Sequence, residues 1–301
     1  ILARILLPSQ FGTFGIASLI LVLLERLSET GINVFLIQEK SEIKDYINTS
    51  WIVSIIRGIV IALAIILTSQ LVATFFNSPT VCPLLYLIAL VAFVRGFINP
   101  AKVKFQKELE FYKEFWFKFS IFVLESSLTI VLALITHSAI SLVWGLLAGA
   151  VFEVFLSFVF IRPTPKLAFE FDKFKEVIGR GKWITLTGIL DYFSQEGDDA
   201  LVAKILNTSS LGLYQMAYKI ATLPVTEITS VVGRVTFPVY VRISADKKRL
   251  KRAYLKTLFG TVSLVVPLGL ILFFFPEQII LLILGENWLA ASGVLDVKPG
   301  S

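Results

Sequence analysis

Eight long apolar stretches follow one another along this chain, and they constrain its fold more than any other feature. At 1.5 Å per residue, about 20 helical residues cross a hydrocarbon layer of about 30 Å. Eight such helices with so little polar surface between them require lipid as their solvent, because a soluble core could not bury them all. The sequence therefore predicts an all-α polytopic membrane protein with about eight complete transmembrane helices. The stretches cover residues 12–38, 51–76, 81–101, 115–136, 139–161, 183–206, 209–240 and 255–284.

The composition supports this fold class and argues against catalysis. Hydrophobic residues make up 56% of the chain and charged residues 17%, against about 45–50% and about 25% in soluble domains. The single cysteine, Cys82, excludes an intramolecular disulfide and a cysteine metal cluster, and the lone His137 is interpreted as a loop residue. No nucleotide-binding loop, zinc-protease motif or serine-hydrolase motif stands in a suitable context. We therefore expect no enzymatic activity, no cofactor and no metal.

The basic residues predict the orientation of the helices in the membrane. If the first stretch runs from outside to inside and the later ones alternate, the four inside loops carry 20 of the 28 Lys and Arg residues. The short outside turns between stretches carry none, so the positive-inside bias points the same way at every connection. The loops 102–114, 162–182 and 242–254 are therefore expected to be cytoplasmic. The net charge of +6 is interpreted as this topology signal and a surface for anionic lipids, not as a nucleic-acid site.

Two segments 200 positions apart are nearly the same, "ARILLPSQFGTFGIA" from Ala3 and "AKILNTSSLGLYQMA" from Ala203. This period is too long for a solenoid repeat and indicates that a domain-sized unit, a bundle of six helices, has been duplicated. We expect residues 1–161 to form an N-terminal six-helix bundle whose first helix is mostly missing, and 162–182 to be a cytoplasmic linker. Residues 183–301 are then the first half of a truncated C-terminal bundle, so the chain is interpreted as a fragment. The two copies should superpose by a rotation about the membrane normal.

Three stretches resemble the Wzx-type oligosaccharide flippase and polysaccharide exporter family of the multidrug/oligosaccharidyl-lipid/polysaccharide exporter superfamily. They are "LARILLPSQFGTFGIASLILVLLERLSETGINVFLIQ", "GDDALVAKILNTSSLGLYQMAYKIATLPVTEITSVVGRVTFPVY" and "DKKRLKRAYLKTL". The resemblance implies a transporter fold of two six-helix bundles around a central cavity, alternating access, and a polyprenyl-diphosphate-linked oligosaccharide as cargo. It also implies a location in the cytoplasmic (inner) membrane, with membrane lipids, a polysaccharide polymerase and glycosyltransferases as candidate partners.

Ionisable side chains at membrane depth give the candidate site, because each costs about 2.5–3.5 kcal/mol to insert. Arginine suits a lipid diphosphate, since it stays charged in a dry cavity and donates two hydrogen bonds to phosphate oxygens. Arg26 is expected near the middle of its helix and facing the cavity, whereas Arg57, Arg95 and Arg234 could equally reach the interface. The candidate substrate-binding residues are Arg26, Arg57, Arg95, Arg234 and Lys219. The candidate coupling or cavity acids are Glu25, Glu29, Asp191, Glu196, Asp198, Asp199 and Glu227.

Other charges receive a structural interpretation. Glu125 and Glu153 each stand alone in their helices, so they are expected to be neutralised between packed helices. Lys40, Lys44 and the other loop cations are expected to face solvent or lipid, without a role in transport. Pro224 is expected to interrupt the seventh stretch, and Asn99-Pro100 to end or break the third.

Three functions remain open at this level. The first is a flippase that moves lipid-linked oligosaccharide from the cytoplasmic to the outer leaflet. The second is a cation-coupled multidrug antiporter of the same superfamily, whose cavity would be apolar and dominated by acids. The third is a non-transporting membrane scaffold for glycan assembly, which would not need buried charges in several helices. The mixture of arginines with acids favours the first.

Overall fold

The computed structural model describes residues 1–29, 31–38, 43–243 and 246–295, and within them the chain is helical and contains no strand. This confirms the all-α prediction. The helices are α1 Leu2–Ile5, α2 Pro8–Leu27, α3 Ile32–Gln38, α4 Ile43–Phe75, α5 Val81–Arg95, α6 Lys104–Lys107, α7 Phe111–Thr136, α8 Ile140–Phe160, α9 Phe171–Ile205, α10 Thr208–Arg242, α11 Lys247–Phe274, α12 Pro276–Ile283 and α13 Ser292–Leu295, with short 3-10 helices at Pro100–Val103 and Glu286–Ala291.

The helices confirm a multi-pass membrane protein. Among the described residues, five helices are long and apolar enough to cross a membrane: α2, α4 from Tyr46 onward, α7, α8 and α11. A sixth crossing is possible if α5 and the segment Pro100–Lys107, bent from each other by 74°, act as one span. The remaining predicted stretches, 183–206 and 209–240, lie within the continuous 35-residue helices α9 and α10, except that α9 ends at Ile205. These two do not meet the same test of length and composition.

Three of the predicted stretches are interrupted. The first breaks between Leu27 and Ile32, where the hydroxyl of Ser28 donates to the Leu24 carbonyl at 2.5 Å and Gly31 has φ 64°. The third breaks after Arg95, as the Asn99-Pro100 pair predicted. The eighth breaks at Phe275, because Pro276 has no N–H to continue α11 and instead begins α12. By contrast, α10 continues through Pro224, so the predicted interruption there is not found.

The first compact unit comprises Ile1–Leu211. Its main core lies where α2, α4, α5 and α8 meet, and includes the fully buried Ile16, Ile65, Leu85 and Val143. A second buried cluster lies where α3, α4, α7 and α8 contact the bent segment Pro100–Lys107. The unit contains α9, which packs along α2, so it extends beyond the predicted bundle boundary at residue 161. That boundary remains a prediction about the complete protein.

The second compact unit comprises Gly212–Ser301. Ile280 and Trp288 are fully buried and hold α12 against the 3-10 helix that follows it. Helix α11 contains no buried residue, although it is among the apolar helices long enough to cross a membrane. Such an unburied apolar helix is suited to a hydrocarbon environment.

The two copies of the repeated sequence have the same local structure. In each, a helix ends at an isoleucine, Ile5 or Ile205, and after two residues a new helix begins, at Pro8 or Thr208. The aligned alanines Ala17 and Ala217 are both fully buried. The local fold therefore agrees with a duplication.

Candidate functional site

The end of α2 supplies the first charged groups of the site. Because α2 ends at Leu27 and not at residue 38, Arg26 lies in its last turn. The expectation that Arg26 occupies the middle of a continuous helix is therefore wrong, and the cause is the break at Ser28. The Arg26 guanidinium contacts the Glu29 carboxylate at 3.4 Å, and its side chain is 45% exposed.

A close crossing of α4 and α5 positions two further arginines. A Cβ atom added to Gly58 would lie 2.9 Å from the Ala92 carbonyl oxygen and 3.0 Å from the Gly96 Cα. Only glycine permits this approach, since the neighbouring atoms belong to the backbone and cannot move aside. Arg57 and Arg95 each immediately precede one of the two glycines. The crossing therefore brings two guanidinium groups, 38 positions apart in sequence, to the same part of the fold.

Between α2, α4 and α5 lies a cavity of about 140 Å³, which we call the charged pocket. Its charged lining residues are Glu25, Glu29, Arg57, Arg95 and Lys102. Arg95 contacts the Glu25 carboxylate at 3.3 Å. Arg57 donates to the Glu25 carbonyl at 2.7 Å and to the Ser28 hydroxyl at 3.2 Å. Three cations and two carboxylates thus share one small space, with Arg26 beside it on α2.

The bend after α5 brings Lys102 to this pocket. Asn99 is fully buried and donates to the carbonyls of Ile161 and Pro163, while its own side-chain oxygen accepts from the Ala101 N–H at 2.9 Å. These bonds hold the 3-10 helix in which Lys102 lies. The Lys102 ammonium contacts the Glu153 carboxylate at 2.9 Å.

Two expectations are corrected here. The loop cations, Lys102 among them, are expected to have no role at the site, yet Lys102 lines the charged pocket. Glu153 does not stand alone, because Lys102 neutralises it across the α5–α8 side of the fold, which agrees with its structural interpretation. The signal that could have found Lys102 is the Asn99-Pro100 break, which turns the following residues back toward the helices.

Glu125 packs between α7 and α8. A Cβ atom added to Gly149 would lie 2.7 Å from a Glu125 carboxylate oxygen, so the glycine makes room for this side chain. The position fits the packing role expected for Glu125, and it lies outside the charged pocket.

Helix α9 covers α2 next to Arg26. The Thr185 hydroxyl donates to the Glu29 carbonyl, and Gly188 lies against the Arg26 side chain. Further along, the buried Tyr192 donates to the Leu19 carbonyl at 3.2 Å. Small and polar residues on one face of α9 therefore fix it along the side of α2 that carries Arg26.

The four candidate acids of α9 divide between two faces of the helix. Glu196 and Asp199 are partly buried and follow the stripe of Tyr192 and Ala203, at helical spacings of three and four residues. Asp191 and Asp198 are exposed. Lys204 is directed elsewhere, since its ammonium donates to the Phe75 carbonyl at 2.6 Å at the end of α4. In the described part of the chain, no three residues among His, Cys, Asp and Glu form a group suited to a metal ion.

The remaining candidates lie in the second compact unit. Lys219 and Glu227 are exposed on α10. The side chain of Arg234 lies outside the described residues, as does the whole of Lys40. Participation of Lys219, Glu227 and Arg234 in one site with the charged pocket therefore remains a prediction.

Comparison with known proteins identifies relatives over nearly the whole chain. The profile of the polysaccharide biosynthesis protein family matches residues 1–293. The lipopolysaccharide biosynthesis protein WzxC of Escherichia coli K12 is 28% identical over 99% of this chain and 61% of its own length. The succinoglycan biosynthesis transport protein ExoT of Rhizobium meliloti is 21% identical over 98% of this chain and 60% of its own. The chain thus spans about three fifths of these relatives. No solved structure matches it.

Proposed function

Because this chain belongs to the polysaccharide biosynthesis protein family, we propose that it is part of an exporter that translocates a polyprenyl-diphosphate-linked oligosaccharide. The complete protein would carry this lipid from the cytoplasmic to the outer leaflet of the cytoplasmic (inner) membrane by alternating access. The proposal includes no catalytic step. Polysaccharide polymerase and glycosyltransferases would use the product and supply the substrate on the two sides of the membrane.

The charged pocket is the observation that carries this proposal. In the predicted orientation it lies toward the cytoplasmic ends of α2, α4 and α5, where a lipid diphosphate from the inner leaflet would arrive. Arg57, Arg95 and Lys102 offer donors that an anion can share, and two of the three are arginines that cannot lose their charge. We propose that these residues, with Arg26 beside them, bind the diphosphate.

The carboxylates would have a different part in the cycle. Glu25 occupies a donor of Arg95 at 3.3 Å, so a diphosphate entering the pocket would compete with it. We propose that Glu25 and Glu29, together with Asp191, Glu196, Asp198, Asp199 and Glu227, couple substrate movement to cations or protons.

A cation-coupled multidrug antiporter is the second candidate, favoured by the concentration of acids on α9. The charged pocket argues against it, since three cations on its walls disfavour a cationic drug. A scaffold without transport activity would have no use for charges held between three helices at a cost in insertion energy.

Deletion of the gene in its own host tests the proposal. The expected result is accumulation of lipid-linked oligosaccharide in the cytoplasmic leaflet, measured by protection of its sugar from a membrane-impermeant glycosidase in intact cells. Reintroducing the gene should restore sensitivity to the glycosidase. Unchanged glycan distribution with increased drug sensitivity would support the antiporter, and unchanged distribution with reduced synthesis would support the scaffold.

A further inference from the structure

An apolar groove runs along the side of α7 and α8 that faces away from the helix bundle. Two adjoining cavities of about 720 Å³ and about 600 Å³ form it, and they share Trp116 and Ser120 in their walls. The groove continues past Phe119 and Val123 to Val131, and Phe152 of α8 contributes to its wall. Each cavity has the volume of a typical ligand site. In the predicted orientation, the groove begins at the cytoplasmic end of α7.

A small cavity lies between this apolar groove and the charged pocket. It has a volume of about 170 Å³, and shares Asn33 and Lys102 with the pocket and Phe105 and Phe117 with the groove. Polar groups line it as well: Glu114 accepts hydrogen bonds from Gln106 at 2.8 Å and from Lys118 at 2.5 Å. Charged, polar and apolar walls therefore follow one another in order from the helix bundle to the lipid-facing surface.

We propose that the apolar groove binds the isoprenoid chain of a polyprenyl-diphosphate lipid while the diphosphate occupies the charged pocket. This inference rests on the proposed function, and names the part of this chain that recognises the lipid half of the substrate. The sequence of walls matches the sequence of groups in such a lipid, from diphosphate to hydrocarbon. A soluble sugar nucleotide would have no group to place in the groove.

The length of the groove distinguishes a polyprenyl chain from an ordinary phospholipid. From Trp116 to Val131 it follows α7 for 15 residue steps, or about 22 Å at 1.5 Å per residue. One leaflet of a hydrocarbon core is only about 15 Å thick. The groove therefore extends past the depth that a phospholipid acyl chain reaches, which a longer isoprenoid chain can occupy.

The charges at its mouth agree with an anionic head group. The segment 102–118 contains five lysines and three glutamates, and counting Glu153, which pairs with Lys102, the surplus is one positive charge. Lys113 lines the cavity nearest the mouth, and Lys118 lines the connecting cavity. A positive surplus attracts a diphosphate to the entrance of the groove. The isoprenoid chain would then contact the aromatic walls.

Photolabelling of the complete protein in lipid nanodiscs tests the inference. The probe is a polyprenyl diphosphate with a diazirine in its isoprenoid chain, and the labelled peptides are identified by mass spectrometry. We expect labelling of residues 116–131 that unlabelled polyprenyl diphosphate displaces and phosphatidylglycerol at equal concentration does not. Val123→Trp, which fills the groove, should reduce this labelling about tenfold, equivalent to about 1.4 kcal/mol of affinity.

Val60→Trp is the matched control. Val60 has a 54% exposed side chain on α4, against 44% for Val123, and lines none of the cavities described here. It should leave the labelling unchanged. Equal displacement by phosphatidylglycerol, or full labelling in Val123→Trp, would show a groove filled by ordinary membrane lipid and overturn the inference. Displaceable labelling confined to other helices would refute the groove but leave the proposed function standing, whereas no displaceable labelling anywhere would count against both.

Discussion

The charged pocket shows how single residues acquire their positions from their sequence neighbours. Arg57 and Arg95 precede the two glycines of the α4–α5 crossing, so backbone contact places both guanidinium groups. Each then uses part of its donors on Glu25, one on the carbonyl and one on the carboxylate. A ligand anion can replace the carboxylate but not the carbonyl. Arg95 is therefore the residue most directly available to a substrate, and Arg57 ties α4 to the end of α2.

Replacing Arg95 by Gln should strongly impair export. Hydrogen bonds to a charged group contribute about 1.5–3 kcal/mol, so we expect glycan export to fall by roughly 10- to 100-fold while the protein still inserts. Export is measured as surface polysaccharide per cell at equal protein abundance. The control is Lys173→Gln, which removes a surface ion pair with Glu170 and should change export less than about twofold. Equal losses in both variants would indicate a general effect of charge.

Arg26→Ala should abolish export, and Arg26→Lys should restore it only in part. The reason is the planar guanidinium, which a lysine cannot reproduce in contacts with phosphate oxygens. Arg26 lies at the end of α2 between Glu29 and Gly188, so loss of the Arg26–Glu29 ion pair is a competing explanation for a loss of export. The midpoint of thermal unfolding separates the two, because loss of a stabilising ion pair would lower it, whereas loss of a phosphate contact would leave it unchanged. Full export by a correctly inserted Arg26→Ala protein would remove Arg26 from the site.

At the scale of elements, breaks in the helices are as informative as the helices. The pairs α2–α3 and α5–Pro100 both break toward the predicted cytoplasmic side, and both breaks supply residues to the charged pocket. A continuous helix would carry Lys102 away from Arg95, about 10 Å further along its axis. Asn99 prevents this by bonding three carbonyl groups of the α8 end, those of Ser157, Ile161 and Pro163.

The α4–α5 crossing should tolerate no side chain. We expect Gly58→Ala to destabilise the protein by about 1–3 kcal/mol, because backbone atoms of α5 would have to move. The measurement is the midpoint of thermal unfolding in a fixed detergent. Gly260→Ala is the control: no atom lies within 4 Å of its added Cβ, so the midpoint should be unchanged or slightly raised. An unchanged midpoint in Gly58→Ala would contradict the tight crossing.

At the scale of the whole molecule, five described helices, or six with the bent pair, are long and apolar enough to cross a membrane, against the eight predicted; the direction of each crossing stays a prediction. Long helices alternate with the basic segments 102–118, 162–182 and 242–256, and the turns at the opposite ends, such as 76–80, carry no Lys or Arg. The two copies of the repeat each begin with the same short break between helices. A six-helix repeat unit and its boundaries remain predictions for the complete protein.

Cysteine labelling tests the orientation. In a background with Cys82 replaced by Ala, Lys173→Cys and Lys248→Cys should resist a membrane-impermeant maleimide added to intact cells. Asn77→Cys, in the turn between α4 and α5, should react. The physical basis is the positive-inside bias of the loops. Labelling at positions 173 and 248 from outside would reverse the predicted topology and place the charged pocket on the opposite side of the membrane.

The sequence by itself determined those properties that depend on a short segment. Apolar length predicted membrane helices, and five or six of the described helices have the required length and composition. The Asn99-Pro100 pair predicted a break, which the 74° bend confirms. Insertion into a bilayer depends on local hydrophobicity and charge, so a single segment carries the information. The same reasoning failed at the first stretch, where a serine and a glycine ended α2 within an apolar run.

Only the tertiary structure decided which charges meet. Glu25 and Arg95 are 70 positions apart, and Lys102 and Glu153 are 51 apart. Their contacts depend on a helix crossing with no room for a Cβ atom and on a buried asparagine that bends the chain. The crossing is a property of packed surfaces, which no local pattern of residues encodes. The Asn99-Pro100 pair predicts a bend, but not which residues the bend brings together. The sequence could therefore name Arg57 and Arg95 as candidates. It predicted Lys102 to be a loop cation without a role in transport, and Glu153 to be the only charge in its helix.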